Sequence, residues 1–127
     1  MLWSSRRRST DRVLAVCESA IDGLSLSAIV GTDGKRFCST AGKCRPEQIA
    51  AIVSAAKRLS SSPEVWLAFD NDSAGRGMAD ELRVALTSQL GEEVRILNKF
   101  PEKENADWND MLQKHAATQP IDLQRLP

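Results

Sequence analysis

The stretch that most constrains the fold is residues 66–69, a short apolar run that ends directly in two aspartates, Asp70 and Asp72. With Pro63 just upstream, such a run is typical of a strand that is buried on both faces of a sheet. Open α/β sheets bind their ligands at the carboxyl ends of the strands. The sequence therefore predicts a functional site that begins at Asp70 and Asp72.

Short apolar runs and helical patterns alternate along the chain. Residues 13–17, 64–69 and 94–97 have the pattern of strands, and residues 36–40 form a weaker fourth candidate. The helical patterns that follow them lie at residues 21–29, 46–59, 78–90 and 108–117. Four such alternations predict an α/β fold, with a four-stranded parallel sheet and helices on both faces.

The composition is that of a globular domain with a balanced charge. Of 127 residues, 42% are hydrophobic and 27% are charged, which is enough for one domain with its own core. Lys and Arg together number 17, as do Asp and Glu, so the net charge is zero. Nucleic-acid binding rests mainly on neutralising phosphates. If this domain acts on nucleic acid, we expect other domains or proteins to provide much of the binding.

The cysteines and the terminal segments indicate a cytoplasmic protein. Three cysteines without C-x-x-C spacing, and a single histidine, predict free thiols rather than disulfides or a zinc site. No apolar run approaches the ~20 residues that span a membrane, and residues 1–12 lack the apolar core of a secretory signal. We expect a flexible basic arm at residues 1–11, a functional domain at 12–117 and a tail at 118–127.

A third acidic residue, Glu18, follows the apolar run 13–17. If that strand lies beside strand 64–69, Glu18 meets Asp70 and Asp72 in one crevice. Carboxylates crowded at the ends of buried strands repel one another unless a cation lies between them. Their hard oxygens suit Mg²⁺, which binds few protein ligands and completes its shell with water and phosphate. These residues predict a Mg²⁺ site, with Mn²⁺ as the alternative ion.

Three motifs in this order resemble the Toprim domain of bacterial primases, topoisomerases and some nucleases. They are E-S-A-I-D-G-L-S from Glu18, F-D-N-D-S-A-G from Phe69 and D-W-N-D from Asp107. The resemblance covers about residues 12–113 and is to the variants in plasmid primases and mobilisation (relaxase-type) proteins in particular. It implies a Rossmann-like four-stranded parallel sheet and Mg²⁺-dependent nucleotidyl or phosphoryl transfer on nucleic acid.

The resemblance also implies roles for individual residues. Glu18 matches the glutamate proposed as general acid or base, and it would join Asp70 and Asp72, which match the Mg²⁺-binding pair. The acidic residues that support the site or close it are matched by Asp22, Asp107 and Asp110.

The chain departs from the family pattern just before its last motif. The relatives usually carry Gly-Lys before D-W-N-D, whereas this chain has Asn105 and Ala106. The basic contact expected there would have to come from Lys103. Arg76, at a helix start beside the acidic pair, is a second candidate for a phosphate contact, although a solvated arginine has the same pattern.

Each acid also has a simpler structural interpretation. Glu18 suits the N-terminus of a helix because of the helix dipole, and Asp70 and Asp72 are residues favoured as helix caps. The D-W-N-D acids likewise suit the first turn of a helix. The two carboxylates and Gly75 directly after a buried strand favour the metal site over the cap.

Two functions from different classes remain. The first is Mg²⁺-dependent catalysis as a primase, mobilisation-related domain or nuclease, with DNA, an RNA primer and other replication or mobilisation proteins as partners. A complete tyrosine topoisomerase is excluded because the chain contains no tyrosine. The second is a non-catalytic module that docks nucleic acid or a partner within a larger DNA-processing protein. A small-molecule-binding α/β domain lacks support, since no glycine-rich phosphate loop is present.

Overall fold

The computed structural model describes residues 3–118, which form one sheet and four helices. The strands are β1 (Trp3–Ser4), β2 (Val13–Cys17), β3 (Lys35–Ser39), β4 (Glu64–Leu67) and β5 (Arg95–Asn98). The helices are α1 (Ala20–Val30), α2 (Pro46–Lys57), α3 (Ser73–Leu90) and α4 (Trp108–Thr118). Of the helices in residues 3–118, none has the length and apolar character that a membrane span requires.

The strands are ordered β1-β3-β2-β4-β5, with β2 at the centre. β2 pairs in parallel with β3 and with β4, so that Val13 lies opposite both Lys35 and Glu64. β4 pairs in parallel with β5. The predicted α/β fold is therefore confirmed, and so is the predicted adjacency of the first strand pattern to the strand that leads to Asp70. Their carboxyl ends lie side by side.

The sheet has five strands rather than the predicted four. The additional strand, β1, pairs antiparallel with β3, with Trp3 opposite Ser39 and Ser4 opposite Cys38. The Trp3 ring also covers Gly23, where an added Cβ would approach it to 2.7 Å. Trp3 and Ser4, which lie within the predicted basic arm, therefore form part of the sheet, where pairing with β3 and the indole contact position them. Most of the predicted tail, residues 119–127, lies outside the described residues.

Helices cover both faces of the sheet, as predicted, and the two faces have separate cores. Leu14 and Val16 of β2 point into the larger core, which α2 and α3 cover. Ala15 and Cys17 point into the smaller one, beneath α1 and α4. The indole N–H of Trp108 donates to the Ala68 carbonyl oxygen at 2.9 Å. This bond anchors the start of α4 over the end of β4.

The first turn of α3 lies directly against the chain that leaves β4. The N–H of Ala68 donates to the Val16 carbonyl oxygen at 2.8 Å, which keeps this exit beside β2. A Cβ on Gly75 would lie 2.1 Å from the Asp70 carbonyl oxygen, far inside van der Waals contact. Glycine is therefore required at position 75, whereas Gly77 has open space around its Cα.

We predict that Gly75→Ala and Gly77→Ala have opposite effects on stability. Gly75→Ala forces the backbone at Asp70 to move and lowers the free energy of unfolding by about 2–3 kcal/mol. Gly77→Ala raises it by about 0.5–1 kcal/mol, because alanine is the better helix former. Urea unfolding of the two variants checks this. Equal effects in both would contradict the close approach of α3 to Asp70.

Candidate active site

Glu18 and Asp70 bring two carboxyl groups together at the carboxyl ends of β2 and β4. Glu18 directly follows β2, and Asp70 follows the end of β4 at Leu67. Burial raises the pKa of Asp70, the Glu18 carboxylate within hydrogen-bonding reach raises it further, and the charges of Asp22 and Asp107 add to the effect, giving a pKa of about 8. Without a cation, Asp70 therefore retains a proton at neutral pH beside Glu18.

Asp22 joins the N-termini of α1 and α4. Its N–H donates to the Ser19 hydroxyl oxygen at 3.1 Å, and its Oδ2 accepts from that hydroxyl at 3.0 Å, which caps α1. Its Oδ1 accepts the Asn109 N–H in the first turn of α4 at 3.4 Å. The residue is only 5% exposed. Two helix N-termini thus stabilise one buried carboxylate, which holds α4 against α1.

Three other acids serve as helix caps. Asp107 and Asp110 cap α4 reciprocally: the Asp107 N–H donates to Asp110 Oδ2 at 3.1 Å, and the Asp110 N–H donates to Asp107 Oδ1 at 2.7 Å. Asp72 caps α3, with Oδ1 accepting the Gly75 N–H at 2.7 Å. Asp107 has a second relation to the site, because its charge helps to raise the pKa of Asp70. Burial in turn raises the pKa of Asp107.

Glu18, Asp22, Asp70 and Asp107 form what we call the acidic cluster, at the switch point where β2 and β4 lie side by side. A family profile matches the chain segment that contains these residues. The profile, described as Toprim-like, covers residues 15–112. The chain belongs to the Toprim-like family. Toprim domains carry out metal-dependent processing of nucleic acid and generally bind Mg²⁺. A comparison with curated proteins found no match.

The middle residue of D-N-D organises the loops of this Toprim-like domain, a role that the sequence pattern did not reveal. The Asn71 N–H donates to the Ala106 carbonyl oxygen at 3.0 Å, and its own carbonyl oxygen accepts the Asn105 N–H at 2.7 Å. Its side-chain amide donates to the Pro101 carbonyl oxygen at 2.8 Å and accepts from Arg76 Nη1 at 2.9 Å. Asn71 thus fixes both the loop before α4 and the exposed Arg76.

The structure shows how Asn105 and Ala106 fit the loop before D-W-N-D. Asn105 has φ +64°, a left-handed conformation that asparagine tolerates better than most residues. Ala106 is 4% exposed and cannot be replaced by a surface cation without rearrangement. Lys103 is exposed in the same loop, which Asn71 holds beside the acidic cluster.

The acidic cluster of this Toprim-like domain fits Mg²⁺ through two carboxylates. Within residues 3–118, no three Asp, Glu, His or Cys side chains converge in a metal-binding arrangement. The Asp70 Oδ1 atom, however, is buried without a hydrogen-bond partner among the described residues. A divalent cation would satisfy this atom and offset the charge of Glu18. Mg²⁺ is commonly bound by one or two carboxylates and keeps several waters, so Glu18 and Asp70 are the residues that would hold it.

We predict that Asp70→Asn stabilises the metal-free protein in a pH-dependent way. Because the folded-state pKa of Asp70 is raised, wild-type stability falls as the pH rises from the ordinary value near 3.8 to about 8. The isosteric amide removes this loss, so the free energy of unfolding of Asp70→Asn exceeds that of the wild type by about 1–2 kcal/mol at pH 8. The difference is limited to this size because water partly screens the half-buried group. Thermal unfolding from pH 4 to pH 9 measures it.

The control is Asp80→Asn, which changes an exposed aspartate on α3 and should leave the pH profile unchanged. Mg²⁺ should raise the unfolding temperature of the wild type and of Asp80→Asn, because it binds only the folded state. It should not raise that of Asp70→Asn. If the unfolding temperature of the wild type changes with pH as that of Asp70→Asn does, ionisation of Asp70 does not destabilise the fold and the prediction is wrong.

Proposed function

We propose that this Toprim-like domain catalyses Mg²⁺-dependent nucleotidyl or phosphoryl transfer on nucleic acid, as part of a primase or plasmid-mobilisation system. The observation that carries the proposal is the Asp70 carboxyl group. It is crowded by Glu18, raised in pKa to about 8 and left with a buried oxygen that lacks a partner. A carboxyl group whose pKa is raised both by burial and by a neighbouring carboxylate is a candidate for a functional site.

In this proposal, Asp70 and Glu18 hold the cation, and Asp72 contributes through Oδ2 because its cap uses Oδ1. When bound, the metal neutralises phosphate and stabilises charge on the attacking and leaving oxygens. Glu18, half-buried at the end of β2, moves the proton of the attacking or leaving hydroxyl.

The surrounding residues position these groups. Asp22 and Asp107, which cap helices, keep α4 beside Asp70 and add negative charge around it. Arg76 and Lys103 are exposed cations on either side of the Asn71 junction, and we propose that they contact phosphates of the substrate. The substrate is DNA, with an RNA primer as the product of a primase reaction. The other partners are proteins or domains of the same replication or mobilisation system, in the cytoplasm.

A second candidate function is a non-catalytic module that docks nucleic acid or a partner protein. The hydrogen bonds of Asp72, Asp107 and Asp110 favour it, because each of these acids caps a helix. A Toprim-like fold that keeps its acids for capping needs no metal. The two candidates differ at Glu18. Among residues 3–118 it caps no helix, because Ser19 is the N-cap of α1.

We predict that Glu18→Gln separates the two functions. In the assembly that contains this chain, the variant should lose about 10²–10⁴-fold in Mg²⁺-dependent activity, because glutamine cannot transfer a proton. The measurement is primer synthesis on a single-stranded template and strand breakage of labelled DNA. Binding of DNA should change less than threefold, about 0.6 kcal/mol.

The matched control is Glu81→Gln, at an exposed position of α3. It should retain full activity in both assays. If Glu18→Gln retains activity equal to that of Glu81→Gln while both bind DNA, the domain is a docking module and the catalytic proposal is wrong.

A further inference from the structure

A second surface, not lined by Glu18 or Asp70, is a groove of about 630 Å³ between α2 and the sheet at β3. One wall is a single face of α2, where Gln48, Ala51 and Ala55 follow at helical spacing. The opposite wall is formed by β3 and by the loop that joins β3 to α2. We refer to it as the cationic groove, because its charged residues are Arg36, Lys43, Arg45, Arg58 and a single acid, Glu47.

The four cations of the groove are not neutralised within the described part of the chain. The ion pairs recorded for residues 3–118 involve Arg8, Arg12 and Arg95 instead. Arg36 is held by hydrogen bonds to β1, to Ser4 Oγ at 3.2 Å and to the Ser5 carbonyl oxygen at 3.4 Å. A chain of zero net charge therefore concentrates positive charge along one groove, which favours an anionic ligand.

The cations form a line rather than a cluster. Lys43 and Arg45 precede α2, at the carboxyl edge of the sheet, and Arg58 follows α2. The end of α2 lies at the opposite edge, because the Ser60 N–H donates to the carbonyl oxygen of Asp11, just before β2, at 2.8 Å. The 12 residues of α2 extend about 18 Å. That length spans several phosphates of one strand and is too long for a single phosphate group.

One end of the groove lies at the same edge of the sheet as Glu18. The Thr40 N–H, at the start of the loop that carries Lys43, donates to the carbonyl oxygen of Cys17 at 3.0 Å. Cys17 is the residue before Glu18. A strand that leaves the acidic cluster along this edge therefore meets Lys43 and Arg45 first.

We propose that the cationic groove binds the phosphate backbone of one single nucleic-acid strand that passes the acidic cluster. The identity of the ligand rests on the proposed function, whereas the groove itself rests on its own charges and shape. Ala51 and Ala55 on the α2 wall give the unpaired bases and sugars an apolar contact surface. These contacts are non-specific, so binding should depend strongly on salt and little on sequence.

The test is binding of a fluorescently labelled single-stranded oligonucleotide of about 12 nucleotides to the full chain, without Mg²⁺, followed by anisotropy. Lys43→Ala with Arg58→Ala should raise Kd about tenfold at low salt and reduce the slope of log Kd against log salt by about 1.4. The matched control is Arg7→Ala with Lys57→Ala, two exposed cations outside the groove. It should change Kd less than about twofold. Circular dichroism establishes that both double variants fold.

Three results would overturn the proposal. The first is equal binding by the groove variant and the control. The second is displacement of the oligonucleotide by a nucleoside triphosphate or a duplex at equal phosphate concentration, which would assign the groove to another phosphate ligand. The third is tighter binding of a polyglutamate peptide, which would assign it to an acidic protein.

Mg²⁺ binding, measured by calorimetry on the same variants, distinguishes this proposal from the proposed function. The groove variant should bind Mg²⁺ as the wild type does. If the groove variant binds both Mg²⁺ and the oligonucleotide as the wild type does, the groove proposal is wrong and the proposed function stands. If the wild type does not bind Mg²⁺ and the groove variant has lost oligonucleotide binding, the groove proposal is supported and the metal-dependent function is wrong.

Discussion

The repulsion between the carboxyl groups of Glu18 and Asp70 is the constraint on which the site depends. Parallel pairing of β2 with β4 places them at neighbouring strand ends, and burial limits the water that would otherwise screen them. The metal-free protein accommodates this crowding by keeping a proton on Asp70, whose pKa is about 8. The fold therefore maintains an unfavourable electrostatic arrangement that a divalent cation at the same position would relieve.

Aspartate residues at this edge of the sheet both cap helices and add negative charge near Asp70. Asp22 and Asp107 hold helix N-termini in place and also raise the pKa of Asp70. Gly75 completes the arrangement by letting α3 start against the Asp70 backbone. Asp22 and Asp107 thus combine structural capping with electrostatic crowding, because the caps bring their negative charges close to Asp70. Four positive charges line the cationic groove, so a chain of zero net charge has strongly charged local surfaces.

Much of this fold follows from the sequence, because the apolar pattern of each parallel strand and helix is several residues long. The D-N-D segment was also placed correctly at the carboxyl end of a buried strand. β1 was missed because two residues, Trp3 and Ser4, carry no periodicity. The dual role of Asn71 depends on which backbone groups approach it. The cationic groove joins residues from separate segments of the chain, from Ser4 to Arg58. Neither is visible in local sequence patterns.

The most direct measurement is an NMR titration of the isotope-labelled full chain with Mg²⁺, observed at the amides around Glu18 and Asp70 and at the Asp70 side-chain carboxyl carbon. We predict saturable shifts at both sites in the millimolar range. We also predict that the pKa of Asp70 falls from about 8 toward the ordinary aspartate value, because the cation favours the ionised form. Unchanged resonances at Glu18 and Asp70, with a carboxyl pKa that Mg²⁺ does not alter, would contradict the metal-binding site.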